Sequence, residues 1–244
     1  IMSSDWSSDV CSSDLGRRND VVIGCGHHDH SSEAVSKTIK GMLDDGAFGK
    51  VAAFEATTCH SGSWHIKPGD WRGDPAKNPG GMLFQCGVHK IHELLFYFGP
   101  IRSVFAGMRY DVNEGTGTAD AALCQLFFES GLIGSLNAYH VSPYRHTLSI
   151  FGSKLNLYRD SRFFHEGERI VTQTSDWDNT YEPHEPLVIE GDNEANGNLR
   201  SFYAAVREGG TCYPSASDGA RAVEVVFAAE ESARTGCRVD VRQL

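Results

Sequence analysis

The sequence predicts an α+β fold, a large and mostly antiparallel open sheet with helices packed on one face. Three observations lead there. Six short strand-like runs, 103–110, 121–129, 132–140, 147–151, 155–158 and 170–174, follow one another through hairpin-grade turns such as Ser130-Gly131 and Gly152-Ser153. An apolar helical segment at 80–99 precedes them, and two helical patterns at 196–208 and 217–234, each stopped by glycine, follow. In 132–140 strict alternation sets Leu132, Gly134, Leu136 and Ala138 against Ile133, Ser135, Asn137 and Tyr139. One sheet face therefore packs while the other is only partly covered, as a surface that meets another subunit would be.

Composition narrows the function. The chain has 244 residues, 40% of them hydrophobic, enough for a full core. A net charge of -10 speaks against phosphate-backbone binding, so no nucleic-acid partner is expected. No run is long enough to span a bilayer. The cysteines at 11, 25, 59, 86, 124, 212 and 237 show no paired short spacing, which fits a reducing, cytoplasmic setting without disulfides.

In chain order, the first fifteen residues lack any apolar period and repeat Ser-Ser-Asp three times. Asp5 to Leu15, DWSSDVCSSDL, resembles the one-frame translation of a common high-throughput sequencing adapter. That leader is excluded from the fold, and the natural protein is expected to have been cut upstream of Gly16. Residues 21–25, VVIGC, read as a buried parallel strand. Ser31 or Ser32 caps the helix that follows, with Val35, Ile39 and Leu43 as its stripe and Gly46 and Gly49 at its close. His27, His28 and His30 with Asp29 invite a metal reading, but ligands so close together at a strand-to-helix turn diverge, and no metal site is expected.

Residues 51–58 read as a strand, and 59–79 as a long loop rich in Gly, Pro, Trp and His. In that loop Trp64, His65, Lys67, Trp71 and Arg72 offer stacking and hydrogen bonds to a sugar or polyol, or simply fold the loop down. On the helix at 80–99, Phe84, Val88, Ile91, Leu95 and Phe98 make one apolar stripe, and Gln85, His89 and His92 line up beside it. A polar row along a core-facing stripe suits a helix at the wall of a site. The acidic, proline-punctuated stretch 176–192 reads as a loop. In the last helix Ala222, Val225, Val226 and Ala229 form the buried stripe, with Asp218 in its first turn and Arg234 in its last. Residues 237–241 read as a final strand.

The succession of a strand, the GAFGKV helix end, the WRGDPAKNPGG loop, the GGMLFQCGVHKIH helix, an antiparallel sheet and the closing SARTGCRVDV resembles the C-terminal part of the Gfo/Idh/MocA oxidoreductase family. It covers residues 18–244. The resemblance implies a Rossmann domain followed by an α+β domain that shapes the substrate site and mediates oligomerisation. Residues 16–45 would be the remnant strand and linking helix of the first, and 46–244 the second. The glycine-rich pyrophosphate turn and the Glu-Lys-Pro segment of the family have no counterpart here, and Gly24 and Gly26 are not that turn.

At the central helix the family pattern has glycines, an aspartate, and a histidine four residues beyond it. Here Gln85 holds the aspartate position, His89 is the histidine, and His92 stands where a second acidic residue is found. The resemblance implies an NAD(P)-dependent oxidoreductase of a sugar, polyol or related cyclic alcohol, with His89 as general acid/base and Gln85 orienting substrate or ring. Without a carboxylate neighbour the base is expected to sit lower in pKa than in relatives. Trp71, Arg72, His92 and His65 are the expected substrate contacts, and His27 is a candidate toward the cofactor. NAD or NADP would serve the intact parent, with no tight binding by this fragment, and a homo-oligomer would form through the open sheet face. The alternatives are a non-catalytic binding or oligomerisation module of the same fold, or a redox-assisted glycoside hydrolase.

Overall fold

The computed structural model describes residues 16, 18–162, 167–175, 177, 184–191 and 196–242. The leader and, in the 176–192 loop, residues 176, 178–183 and 192 lie outside the described residues. Nine strands form one sheet: β1 (Val51–Cys59), β2 (Ile101–Arg109), β3 (Ala121–Phe128), β4 (Ile133–Tyr139), β5 (Arg145–Gly152), β6 (Leu155–Arg162), β7 (Gly167–Thr174), β8 (Glu185–Pro186) and β9 (Val239–Asp240). Their order is β8-β7-β6-β5-β1-β4-β3-β2-β9. Among the described residues every ladder is antiparallel except β1 with β4, where Ala53 pairs Ile133 and Cys59 pairs Tyr139. The first strand is thus inserted between two meanders formed later in the chain.

Helices α1 (Ala34–Asp44), α2 (Val88–Phe98), α3 (Gly197–Glu208) and α4 (Ala216–Thr235) accompany the sheet. The sheet alternates as its sequence does. Phe54, Ala56, Leu126, Leu136, Ala138, Leu148, Ile150 and Leu157 are buried, whereas Leu123, Ile133 and Phe105 on the other face are about half exposed. Phe54, Phe98 and Phe128 form the aromatic centre, with ring centroids 5.0 to 5.8 Å apart. Gly134 lies under this cluster, where a Cβ would come within 2.3 Å of the Phe54 ring. A side chain there would displace the core.

Helix α4 is set by a capping box, Ser215 and Asp218 each bonding the other's backbone, and ends at Gly236 with φ +66. Its predicted stripe, Ala222, Val225, Val226 and Ala229, is fully buried. Two local expectations fail. Residues 21–25 form no strand; Gly24 alone makes an antiparallel bridge to Ser215, and the flanking backbone bonds, from Cys25 N–H to the Pro214 carbonyl and from Ala216 N–H to the Ile23 carbonyl, do not extend into a ladder. The residue capping α1 is Glu33, and its side chain makes no capping bond. Ser31 and Ser32 are occupied instead by Asp29, to whose side chain and carbonyl their hydroxyls donate.

The central helix also departs from one regular spiral. Leu83–Gly87 is π-helical before α2 begins. Gln85 lies within this π-helical turn and His89 in the α-helix that follows it. Gln85 is half-buried with its Nε2 unpartnered, whereas His89 is exposed and His92 buried. The turn is entered through Gly80 and Gly81, both left-handed, and a Cβ on Gly81 would lie 2.2 Å from the Ala119 carbonyl oxygen. Gly81→Ala therefore incurs both backbone strain and a backbone clash, and is expected to cost about 2–4 kcal/mol, read as a lowered urea midpoint at unchanged m-value.

Candidate functional site

His89 lies in a cluster of imidazoles built by two segments, the 27–30 turn before α1 and the first turns of α2. The His27 ring centroid is 4.5 Å from His89 and 5.0 Å from His92, and His30 is 5.3 Å from His92. The structure thus brings three of the predicted residues, His89, His92 and His27, into one place. No group of three or more His, Cys, Asp or Glu among the described residues is arranged to hold a metal ion.

The electrostatics favour neutral rings. Burial, then the neighbouring His89 and His92, lowers His27 to about 3, and burial with His30 lowers His92 to about 4. His89 is lowered as well, by burial of its inner side and then by His28 and His30. At neutral pH His89 is an uncharged base with a free lone pair. His28 is raised by its hydrogen bond to Glu33. Burial opposes the Glu33 charge, but the bonds from His28 and His30 outweigh it and hold that carboxyl below its ordinary range. The inner nitrogens Nδ1 of His27 and His92 are buried without a partner. Leaving such an atom unpaired costs about 1–3 kcal/mol, so both are suited to meet a bound molecule or water.

The helix carrying His89 is anchored from below. Lys90 and Glu93, each 7% exposed or less, pair with one another, and Glu93 Oε1 accepts from Arg159 Nη1 at 2.7 Å. Arg159, on the helix-facing side of β6, also bonds Glu168 of β7. Glu93 is held at about 2: burial works against its charge, and Lys90 and Arg159 more than restore it. This buried clamp fixes α2 against the sheet.

Trp71, Arg72 and His65 are placed apart from that cluster. All three are exposed in the 59–79 loop, which contains two short 3₁₀ turns, Gly62–His65 and Trp71–Gly73. Arg72 stacks on Trp71 at 4.7 Å and bonds Asp70, and its carbonyl accepts from Asn78 and Thr118.

A second group of residues is gathered by topology. The parallel strands β1 and β4 end at the same edge, so His60 and His140 emerge side by side, ring centroids 5.0 Å apart. At the start of adjoining β5, Tyr144 stacks on His146 at 4.6 Å, and His146 meets the Thr58 hydroxyl at 3.3 Å. Burial lowers His140 and His146 to about 4. Sequence reasoning missed these four. The clue was the spacing of His140, Tyr144 and His146 across one strand junction, which matters only once β1 and β4 are known to be parallel. On the other side of His92, a cavity of about 400 Å³ opens between α2 and α4, lined by Phe96, Tyr213, Asp218, Arg221 and Arg242 among others.

A helix-backed open sheet with a neutral, exposed imidazole held on a clamped helix defines a domain able to bind a polar molecule and move a proton. Residues 36–158 match the GFO/IDH/MocA C-terminal domain, and the chain belongs to that family. Over 215 residues it is 24% identical to scyllo-inositol 2-dehydrogenase (NAD(+)) of Bacillus subtilis, which covers 83% of this chain and 58% of that enzyme. The chain thus spans under two thirds of that relative's length. Among solved structures, the aldose-aldose oxidoreductase of Caulobacter crescentus complexed with glycerol superposes with a TM-score of 0.77 at 20% identity, covering 92% of this chain and 65% of that one. A levoglucosan dehydrogenase in complex with NADH and levoglucosan gives 0.70 at 20% identity, covering 86% and 64%. At that identity these two share the fold. Among the described residues no helix is long and apolar enough to cross a membrane.

Gly24 is no phosphate cradle, since a Cβ there would meet Phe202 at 3.1 Å and Cys212 at 3.3 Å, which makes it a packing glycine.

Proposed function

We propose that this chain is the substrate domain of an NAD(P)-dependent oxidoreductase acting on a sugar, polyol or related cyclic alcohol, with His89 as general acid/base. One observation carries the reading: His89 is exposed and neutral on a helix clamped by buried ion pairs, in a family whose relatives named above include a scyllo-inositol dehydrogenase. Such a ring takes the proton of a substrate hydroxyl in one direction and returns it in the other. In this reading Gln85 orients the substrate or the His89 ring, His92 contacts the substrate, and His27 serves toward the cofactor. Arg72, Trp71 and His65 contact substrate from the 59–79 loop. Residues 46–244 form this unit and 16–45 join it to a nucleotide-binding part of the parent. Copies pair through the open face of β2, β3 and β4, where Phe105, Leu123 and Ile133 stand exposed. The parent works in the cytoplasm.

In the parent with its nucleotide-binding part restored, His89→Ala is expected to lower kcat/KM on the best of a panel of inositols and aldoses by about 10²–10⁴-fold. An unchanged value would remove His89 from the mechanism. A second reading rests on Gln85, which has no charge and leaves its Nε2 unpartnered: the domain serves as a non-catalytic binding or oligomerisation module. Light scattering that shows an oligomer, together with an inactive parent, would favour it.

A further inference from the structure

The cavity of about 400 Å³ between α2 and α4 has a chemistry that the site at His89 does not absorb. Its volume falls within the range of about 300–1,000 Å³ common to small-molecule sites. Leu95 and Phe96 of α2 and Val225 of α4 make its walls apolar, and the Tyr213 ring, 6.4 Å from that of Phe96, adds an aromatic face. The two cations of its lining, Arg221 and Arg242, are exposed and so stand where the cavity meets solvent.

These cations are incompletely matched. Arg221 has Asp218 at 3.7 Å, a loose pair, because the other oxygen of Asp218 accepts from the Ser215 amide and hydroxyl. Among the described residues Arg242 makes no ion pair, although Glu224 feels its charge at longer range. Two arginines against one aspartate leave the mouth of the cavity positive. The Tyr213 hydroxyl makes no hydrogen bond among the described residues, and burial holds it neutral, a free donor on the same lining.

We propose that this cavity binds a small monocarboxylate with a flat apolar body, the body between α2 and α4 and the carboxylate at Arg221 and Arg242. The body gains by leaving water against Leu95, Phe96 and Val225, and guanidinium groups donate charge-assisted hydrogen bonds to the carboxylate. A more highly charged molecule would set a second anion against Asp218, and one rich in hydroxyls would leave them unpaired on the apolar walls. The ligand therefore differs in class from the sugars and polyols proposed for His89, and its binding does not require His89 to act as a base. The two sites share one side chain. His92 is 2% exposed, lines the cavity and stands 5.0 Å from His27, so an occupied cavity is felt at the edge of the imidazole cluster.

Titration of this chain with indole-3-acetate, followed by NMR of the histidine and tyrosine ring protons, tests the site. Indole-3-ethanol serves as the uncharged analogue. Saturable shifts at His92 and Tyr213 are expected at about millimolar concentration or below, with the alcohol about tenfold weaker. Arg221→Gln and Arg242→Gln, at exposed positions, are each expected to weaken the acid about tenfold and leave the alcohol unchanged. Leu95→Trp, which fills the half-buried wall, is expected to abolish both; should it not fold, the arginine variants decide. No saturable shift by about 10 mM overturns the site. Equal binding of acid and alcohol, with no response to either arginine variant, reduces the cavity to an apolar void and overturns the carboxylate. Shifts that survive Leu95→Trp and centre on His89 and His28 place the molecule at the imidazole cluster and overturn the proposal as well.

Discussion

Glu93→Ala is expected to destabilise the protein by about 3–5 kcal/mol, the largest effect of any single side chain described here. The residue is 4% exposed and is shared by two cations, Lys90 one turn back on α2 and Arg159 from β6. Removing it leaves both cations facing each other in a dry interior with only Glu168 to compensate. Glu93→Gln keeps the volume and a hydrogen bond to Arg159 and is expected to lose less. Urea unfolding of the two variants checks this, and a loss below about 1 kcal/mol for Glu93→Ala would mean that water already reaches the pair.

Acid is expected to unfold the chain well before its carboxylates are protonated. His27, with a folded value of about 3, and His92, His140 and His146, with values of about 4, are buried neutral, while each binds a proton near 6.5 in the unfolded chain. Between those limits the unfolded state holds more protons, so stability falls as the pH falls. Each imidazole contributes up to about 1.4 kcal/mol per pH unit across that window. Glu33 and Glu93, whose folded values are depressed, add stability above about pH 4.5 that is lost on further acidification. His28 has the opposite sign, its contribution fading as pH rises through its raised value, but it is largely exposed and its effect is screened. The melting temperature is expected to be nearly level from pH 8 to 7 and to fall steeply from 6.5 to 5. A level profile down to pH 5 would show that the rings protonate in place.

Much of the fold was legible because its signals are local. The alternation in 132–140 placed Leu136 and Ala138 inside and Ile133 outside, and the four-residue stripe of α4 is buried as read. Three of the glycines read as helix stops or hairpin turns, Gly131, Gly209 and Gly236, adopt positive φ. What escaped depended on partners. Residues 21–25 carry the apolar composition of a strand but, among the described residues, make a single bridge, Gly24 with Ser215. The π-helical turn at Leu83–Gly87 cannot be told from an α-turn by spacing. At the site, His89 and His92 were found from their helix and His27 through family resemblance. His60, His140 and His146 were not, since only the parallel register of β1 with β4 brings them to one edge.

That register has a further consequence, for how the sheet assembles. The strands β2, β3 and β4 can zip up from neighbouring segments, as can β5, β6 and β7, each ribbon closing short loops. Among the described residues neither ribbon pairs with the other. Val51–Cys59 laces them together, contacting Ile133–Tyr139 on one side and Arg145–Gly152 on the other, across some eighty residues or more of intervening chain. The continuity of the whole nine-stranded sheet therefore hangs on a single nine-residue thread, and the edge where His60 and His140 meet exists only after that thread has been drawn through.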